Sequence, residues 1–211
     1  MTDPIGARSW RGRVFVGVSL DGRIARPDGD LGWLTDPPGG RDHAPVGEIP
    51  GGTAQTWERF SSSVDTIVMG RSTYETVLGF PEWPYPGRRV LVLTRGLLTD
   101  DSRVEVVRGV GEAAAALEAT GAREVYVDGG RTIQSFLAAG LIDELTVCWA
   151  PVLLGAGRPL FGELAGDVTL VLVGALATEG GTVHATYRVH RPAVPESAFT
   201  EVASVDGAGT A

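Results

Sequence analysis

Short runs of β-branched and other apolar residues alternate with segments of helical periodicity over most of the chain. The strand-like runs lie at 13–20, 66–69, 89–94, 104–107, 124–127, 144–150, 168–177 and 182–190. The helical segments lie at 53–62, 72–78, 110–119 and 132–139. This alternation predicts an α/β fold with a mostly parallel sheet, because strand–helix–strand connections are right-handed crossovers. A glycine-rich turn at 179–181 joins the last two strands, so the eight-stranded sheet should end in an antiparallel hairpin.

The two ends and one interior segment lack this patterning. Residues 1–12 and 191–211 are predicted to be tails, which leaves one domain over 13–190. Residues 21–52 carry many Gly, Pro and Asp residues without periodicity, and a loop of this length in a compact domain is usually functional. The loop also holds Trp33, a residue that is costly to leave in solvent.

Composition excludes several kinds of chemistry. The 211 residues have a formal net charge of −8, contain neither lysine nor asparagine, and include one cysteine, Cys148. Without lysine there is no Schiff-base chemistry and no P-loop, and one thiol cannot form an internal disulfide. The acidic balance opposes non-specific attraction to nucleic acid. The apolar runs are too short for a membrane helix, and no signal peptide is visible, so we expect a cytoplasmic protein.

Three predicted strands end in a turn that is polar or rich in glycine. The first turn contains Gly70, Arg71 and Thr73, with Ser72 and Glu75 spaced as a capping box at a helix start. The second contains Thr94 and Arg95, and the third runs through 128–132. Since ligands bind at the carboxyl ends of strands in open α/β sheets, the turns and their arginines favour a ligand with several phosphates. The alternative for each turn, taken alone, is an ordinary helix cap or tight turn.

Other features are weaker. Residues 109–114 match the GxGxxA dinucleotide fingerprint, but they come mid-chain after a short charged strand, so a glycine-punctuated helix start is the alternative. Alternation in the last strand predicts a buried side and a solvent-facing side. The expected buried residues are Val183, Ala185, Tyr187 and Val189, and the expected solvent-facing residues are His184, Thr186, Arg188 and His190. His43 has no spaced partner, metal-ligand spacings are absent, and Cys148 is expected to be an inert packed thiol.

Several short motifs, in this order and spacing, resemble one known group of proteins. They lie at 19–25, 33–35, 69–75, 128–132, 140–145 and 150–155. The chain resembles the dihydrofolate-reductase-like superfamily, and within it the C-terminal reductase domain of bacterial riboflavin biosynthesis, as a stand-alone member. The resemblance implies a three-layer α/β/α domain that binds NADPH across the strand ends, usually as a homodimer.

The resemblance also implies roles for individual residues. Gly70, Arg71 and Thr73 would bind phosphate, and Thr94 and Arg95 would lie near the adenosine 2′-phosphate. The residues against the pyrophosphate would be Gly129, Gly130, Arg131 and Thr132. Asp21, Trp33 and Thr35 would line the nicotinamide and substrate side, with Asp128 at the floor of the pocket. Phe15 and Thr56 depart from the family pattern, since relatives often have lysine and a helix carboxylate at these places.

The implied activity is that of an NADPH-dependent reductase of the riboflavin-biosynthesis type, similar to 5-amino-6-(5-phosphoribosylamino)uracil reductase. Its substrate would be a small heterocycle or a ring-opened sugar phosphate. A phosphorylated substrate needs a second basic site, for which Arg23 and Arg158 are candidates. Asp128 is the first candidate for the catalytic polar group and Asp21 the second, the alternative for both being turn chemistry. The alternative functions are a dihydrofolate or pterin reductase and an NADPH-binding module without reductase activity.

Overall fold

The computed structural model describes residues 8–35, 54–96, 99–178 and 180–190. The strands are β1 (Arg11–Ser19), β2 (Arg23–Ala25), β3 (Thr66–Gly70), β4 (Arg89–Leu93), β5 (Val104–Val107), β6 (Glu124–Asp128), β7 (Glu144–Ala150), β8 (Arg158–Pro159), β9 (Leu170–Ala177) and β10 (Val183–Val189). The helices are α1 (Gly32–Thr35), α2 (Trp57–Ser63), α3 (Arg71–Leu78), α4 (Val110–Ala119) and α5 (Gly130–Ala138).

Eight strands form one sheet in the order β5-β4-β3-β6-β1-β7-β10-β9. The pairs from β5 to β7 are parallel, and β10 is antiparallel to both β7 and β9. The mostly parallel sheet with an antiparallel end is therefore confirmed. The short strands β2 and β8, which the sequence pattern did not predict, pair with each other in a separate two-stranded sheet.

Helices cover both faces of the sheet, because the central strands carry apolar side chains on both faces. On β3, Val68 packs into a cluster with α4 and α5, whereas Ile67 and Met69 pack into a second cluster with α2 and α3. All three side chains are 0% exposed. Strands buried on both sides are typical of parallel sheets between helices, and the predicted three-layer arrangement is confirmed. In the described ranges no helix has the length and apolar character needed to cross a membrane.

The predicted N-terminal tail is wrong for residues 8–12. Trp10 is buried against Phe136, with 6.5 Å between ring centroids, and β1 already begins at Arg11. Arg8 stacks over the Trp10 ring and forms an ion pair with Asp143. A lone tryptophan among polar residues carries no periodic signal, so only its tertiary partner shows that it belongs to the core. Residues 1–7 and 191–211 lie outside the described residues.

Two further predictions need correction. The segment 21–52 is not simply a loop, because β2 and α1 lie within its first part, and residues 36–53 lie outside the described residues. The strict alternation predicted for the last strand is wrong, because Thr186 is 1% exposed and His184 is half-buried. An irregularity in the pairing of β10 with β9 between Thr186 and Tyr187 breaks the period-two pattern.

Candidate functional site

The three turns singled out in the sequence lie side by side. Strands β4, β3 and β6 are neighbours and run parallel, so their carboxyl ends meet at one edge of the sheet. The register pairs Gly70 with Leu93 and Met69 with Asp128. Two helices, α3 and α5, begin at this edge directly after β3 and β6.

Glycines at the starts of these two helices allow close approach of the chain segments. Gly129 has φ +86°, and a Cβ there would lie 2.3 Å from Thr73 Oγ1. A Cβ on Gly70 would lie 2.9 Å from Thr132 Oγ1. The two turns therefore form one surface of backbone and hydroxyl groups, which we call the glycine cradle (Gly70, Thr73, Gly129 and Thr132).

The helix starts leave backbone amides facing the cradle. The N-caps of α3 and α5 are Gly70 and Gly129, and neither has a side chain that accepts from the first turn. The predicted capping box is wrong, because α3 begins at Arg71 and Ser72 is already inside the helix. Glu75 accepts a hydrogen bond from Arg71 Nε at 2.7 Å instead. Free amides at two helix N-termini favour an anion at this edge.

Arginines surround the cradle. Arg71 Nη1 lies 4.0 Å from the position that a Cβ would occupy on Gly96, so its guanidinium reaches the turn after β4. Thr94 Oγ1 accepts from the Gly96 amide in that turn, and Arg95 is exposed there. Arg131 is exposed in the first turn of α5. These positive groups offset the net negative charge of the chain locally.

Sequence reasoning missed Arg108. Its Nη1 donates to the carbonyl of Arg95 at 3.1 Å, which fixes the turn after β4 from the neighbouring strand β5. Its amide donates to Glu112 of α4, so residues 109–114 form an ordinary helix start, as the alternative interpretation had it. The signal that could have found Arg108 is its position immediately after a strand, equivalent to that of Arg71 and Arg95.

The central strands β1 and β6 separate toward this same edge. Their ladder joins only Arg11, Gly12 and Arg13 with 124–126, although β1 continues to Ser19 and β6 to Asp128. Because β1 and β6 are not paired beyond these residues, a cleft opens between the two strands, adjacent to the glycine cradle. Cofactor and substrate sites in open α/β sheets typically occupy such a position.

Asp128 lies at the end of β6, beside both the cleft and the cradle. Its Oδ1 accepts a hydrogen bond from the amide of Gly129 at 2.8 Å. Burial raises the pKa of Asp128 above its ordinary value. A carboxyl group with a raised pKa is suited to carry and deliver a proton.

Asp21 has a different environment. Its Oδ1 accepts from Ser19 Oγ at 2.6 Å and from the Leu154 amide at 3.0 Å, and its Oδ2 accepts from the Gly155 amide at 2.8 Å. These hydrogen bonds, the one from Ser19 foremost, lower the pKa of Asp21 to about 2. Asp21 is thereby an ionised anchor between the end of β1 and the segment after β7, which leaves Asp128 as the carboxyl suited to donate a proton.

Aromatic side chains cover the sheet beside the cleft. The Phe15 ring lies 5.5 Å from Trp57 and 5.5 Å from His184, and Trp57 lies 6.0 Å from Tyr126. Trp57 is 42% exposed, unusually high for a tryptophan in contact with so many rings. Sequence reasoning did not select Trp57 or Tyr126, because nothing local indicates that α2 crosses β1 and β6.

The remaining predicted residues lie around β2 and α1. Trp33 is 2% exposed, its indole Nε1 has no partner among the described residues, and the adjacent Thr35 is exposed. Arg23 Nη1 donates to the carbonyl of Gly157 at 3.4 Å. A Cβ on Gly130 would lie 2.5 Å from Ile24 Cδ1, so β2 packs against the start of α5. The structure thus places Arg23 on the strand that borders the cradle.

Other candidate chemistry is not supported in the described part of the chain. No cluster of three His, Cys, Asp or Glu side chains there is arranged to hold a metal ion. Burial raises the pKa of Cys148 to about 12, as expected for an inert thiol. His184 is held by the Phe15 ring and the Gln55 carbonyl, 3.2 Å from Nδ1. His43 lies outside the described residues.

Comparison with known proteins agrees with this architecture. The structure of a putative riboflavin biosynthesis protein from Shewanella sp. PV-4 is similar at a TM-score of 0.72 and 35% identity, over 86% of this chain and 99% of that one. YwjB of Bacillus subtilis (strain 168), an uncharacterized protein, is 34% identical over 167 residues, which cover 76% of this chain and 88% of YwjB. Dihydrofolate reductase from Enterococcus faecalis, in complex with NADP(H), has a TM-score of 0.60 at 19% identity, over 87% of this chain and 98% of its own, and so shares the fold.

The match to a protein family covers nearly all of the sheet. Residues 12–184 match the family described as the RibD C-terminal domain, from the first strand of the sheet into the last. The resemblance found in the sequence motifs is confirmed, and the chain belongs to the RibD C-terminal domain family.

Proposed function

We propose that this protein, an oxidoreductase of the RibD reductase type, uses NADPH to reduce a small heterocycle or a ring-opened sugar phosphate. The observation that carries the proposal is the glycine cradle lying next to the cleft that ends at Asp128. The glycine cradle suits the phosphates of a dinucleotide, and the cleft that ends at Asp128 suits a reaction that needs a proton.

The residues present fit NADPH. The cradle has no room for a side chain at Gly129, and two helix N-termini direct amides toward it, as pyrophosphate binding requires. Arg71 and Arg95 lie at the adjacent turn, where planar guanidinium groups can bind a 2′-phosphate bidentately. We assign Arg108 to the same group, because it holds the Arg95 turn in place.

The cleft is suited to the reaction itself. When bound, NADPH supplies a hydride to the substrate carbon. The protein positions the substrate between the separated strands and the aromatic wall of Phe15, Trp57 and Tyr126. Asp128 then provides the proton that balances the reduction of a C=N or C=O bond, since burial raises its pKa and so favours the acid form. Trp33, Thr35 and Arg23 complete the substrate side, and Arg23 or Arg158 would bind a substrate phosphate.

Incubation with NADPH and a ribosylaminopyrimidine phosphate, followed by absorbance, tests the reductase proposal. We expect oxidation of NADPH, and its loss in Asp128→Asn. The cofactor assignment is tested separately by thermal shift. Arg71→Ala should reduce the stabilisation by NADPH more than that by NADH, whereas Arg123→Ala, at the opposite edge of the sheet, should affect neither. Equal losses with both cofactors would reject a role of Arg71 in reading the 2′-phosphate.

The two alternative functions give different results in the same assays. A pterin reductase would oxidise NADPH with dihydrofolate, but Thr56 supplies no carboxylate to the ring, and its Oγ1 instead accepts from Arg59 to cap α2. A binding module would show the thermal shift with no oxidation on either substrate. The reductase proposal is favoured because Asp128, unlike Thr56, offers a carboxyl at the cleft.

A homodimer is the assembly we propose. The edge strand β9 exposes Leu170, Val171 and Leu172, which are 38%, 46% and 58% exposed, on both of its faces. Apolar edge strands of this kind are usually covered by another chain. Light scattering should show a dimer that Leu172→Lys dissociates, whereas Leu78→Lys, at an exposed leucine of α3, leaves it intact. A monomeric native protein would refute this assembly.

A further inference from the structure

A cavity outside the candidate site lies at the amino ends of β4 and β5. Its volume is about 480 Å³, a size that suits a small organic molecule. Arg89 begins β4 and Val104 begins β5, and both residues line the cavity. The glycine cradle lies at the other end of β4, where Leu93 pairs with Gly70. The cavity is therefore separate from the site proposed for NADPH.

The charge around this cavity is opposite in sign to that of the chain. Three arginines line it, together with the carboxylate of Glu105, and we call it the arginine cavity (Arg88, Arg89 and Arg103). Asp101 lies beside the lining and pairs with Arg103. Three positive charges against two negative ones leave a positive excess, although the chain as a whole has a net charge of −8. Excess positive charge on a concave surface attracts small anions.

Two of the guanidinium groups are held in place and keep nitrogen atoms for a further partner. Arg103 donates to Asp101 through Nε at 2.8 Å and Nη2 at 2.7 Å, and its Nη1 has no partner in the described part of the chain. Arg89 pairs with Glu105 through Nη2 and donates to the Ala116 carbonyl through Nη1 at 3.3 Å. Its Nε has no partner among the residues that the structure describes. Guanidinium groups fixed in this way are suited to bind an oxyanion at little cost in side-chain entropy.

Aromatic rings form another part of the lining. The Trp83 and Tyr85 rings meet edge to face, with 5.7 Å between their centroids. The central carbon of the Arg103 guanidinium lies 4.3 Å from the centroid of the Trp83 ring. The cavity therefore places a cation directly beside an apolar surface. A planar molecule that carries an oxyanion group matches both features.

Structural roles explain these arginines one by one but do not explain their convergence. Arg88 Nη2 donates to the Ser61 carbonyl at 2.6 Å and so joins the start of β4 to α2. Arg89 similarly reaches α4 at Ala116. Like charges on one cavity repel each other, and of the acidic residues in the described ranges only Glu105 lines it. A bound anion would supply the negative charge that the lining lacks.

We propose that the arginine cavity binds a small organic anion, a planar molecule with a carboxylate or phosphate group. The oxyanion would contact Arg89 and Arg103, and the planar part would lie beside Trp83. This binding does not depend on the proposed reductase function, because no residue that lines the cavity belongs to the glycine cradle or to β1 and β6.

Isothermal titration calorimetry of the full chain tests the proposal with phenyl phosphate and benzoate, and with phenol as the uncharged control. We expect at least one of the two anions to bind with a Kd below about 1 mM. Phenol should bind at least about tenfold more weakly, because it offers no oxyanion to the arginines. The anion that binds more tightly shows whether phosphate or carboxylate is preferred. Affinity should fall as ionic strength rises.

Ser102 allows the site to be changed without removing any arginine contact. It is exposed and lines the cavity. Ser102→Glu adds a negative charge and should weaken anion binding by about tenfold or more, whereas the matched neutral variant Ser102→Gln should change it by less than about twofold. Glu105→Gln removes the carboxylate that competes for Arg89 and should strengthen binding.

Arg71→Ala, at the glycine cradle, should leave the affinity for the anion unchanged. The proposal is overturned if neither anion binds, if phenol binds as tightly, or if Ser102→Glu and Ser102→Gln have equal effects. It is also overturned if Arg71→Ala abolishes binding and Ser102→Glu does not, since the anion would then occupy the cradle. Failure to oxidise NADPH would count against the proposed function alone.

Discussion

Replacing Gly129 with alanine tests the close approach on which the glycine cradle depends. Gly129 has φ +86° and ψ 132°, a conformation outside the left-handed helical region that costs an L-residue about 1–3 kcal/mol. The added Cβ would also lie 2.3 Å from Thr73 Oγ1, so Thr73 or the turn must move. Overpacking of this kind costs about 1–3 kcal/mol. We therefore expect Gly129→Ala to lower the free energy of unfolding by about 2–6 kcal/mol.

Gly121 provides the matched control. It has φ +68°, but a Cβ there would meet nothing within 4 Å. Gly121→Ala should therefore cost only the backbone term, about 1–2 kcal/mol. Thr73→Ala, introduced into Gly129→Ala, removes the oxygen at 2.3 Å and leaves the Thr73 Cβ at 3.5 Å, which is ordinary contact. The double variant should recover about 1–3 kcal/mol of the loss.

Urea denaturation measures these differences, and melting temperatures should fall by about 2–4 °C per kcal/mol. Thermal shift with NADPH adds a functional readout, because the moved turn should also lower the stabilisation by NADPH in Gly129→Ala but not in Gly121→Ala. The reasoning is refuted if both alanine variants cost the same, or if Thr73→Ala restores no stability to Gly129→Ala.

Three further predictions concern Arg13, Asp21 and Cys148. Arg13→Met should lower the free energy of unfolding by about 3–5 kcal/mol in urea denaturation, because the Arg13 side chain is 5% exposed and lies 2.7 Å from Glu144. Arg11→Ala should lower it by less than about 1 kcal/mol, because the Arg11 side chain is 53% exposed. Equal losses in the two variants would contradict this prediction. The pKa of Asp21 is lowered from 3.8 to about 2, so its contribution is present above pH 3.8 and is lost as the pH falls through 2. The stability difference between wild type and Asp21→Asn should shrink over that range, and a constant difference would argue against it. Burial raises the pKa of Cys148 to about 12, so Ellman's reagent at pH 8 should label it only after denaturation.

The fold was predictable because its signals are local. β-branched runs and glycine turns predict all eight strands of the main sheet to within about two residues at each end. The two short strands escaped because β2 and β8 span three and two residues and exist only through pairing with each other. The capping box at Ser72 and Glu75 failed because the N-cap is Gly70, two residues before Ser72, which places Ser72 inside the helix.

The grouping of the candidate residues was predictable where one motif supplies several of them, as at 128–132. It was not predictable where distant segments combine. Tyr126 faces the Phe15 carbonyl only because β6 is inserted between β3 and β1 and then leaves β1 after three residue pairs. Arg108 joins Arg95 only because β5 lies outside β4. Strand order is set by the packing of the whole domain, and no local pattern reports it.

The separation of β1 from β6 has a consequence for how such a protein can change its specificity. Where the pairing between two strands ends, main-chain groups face a ligand in the cleft. These groups are the same whatever side chains the residues carry. A ligand held by backbone amides at the cradle and the cleft is therefore insulated from most substitutions. Side chains on α2 and in the surrounding segments can then be exchanged to admit a new substrate, without changing the backbone groups proposed to bind NADPH.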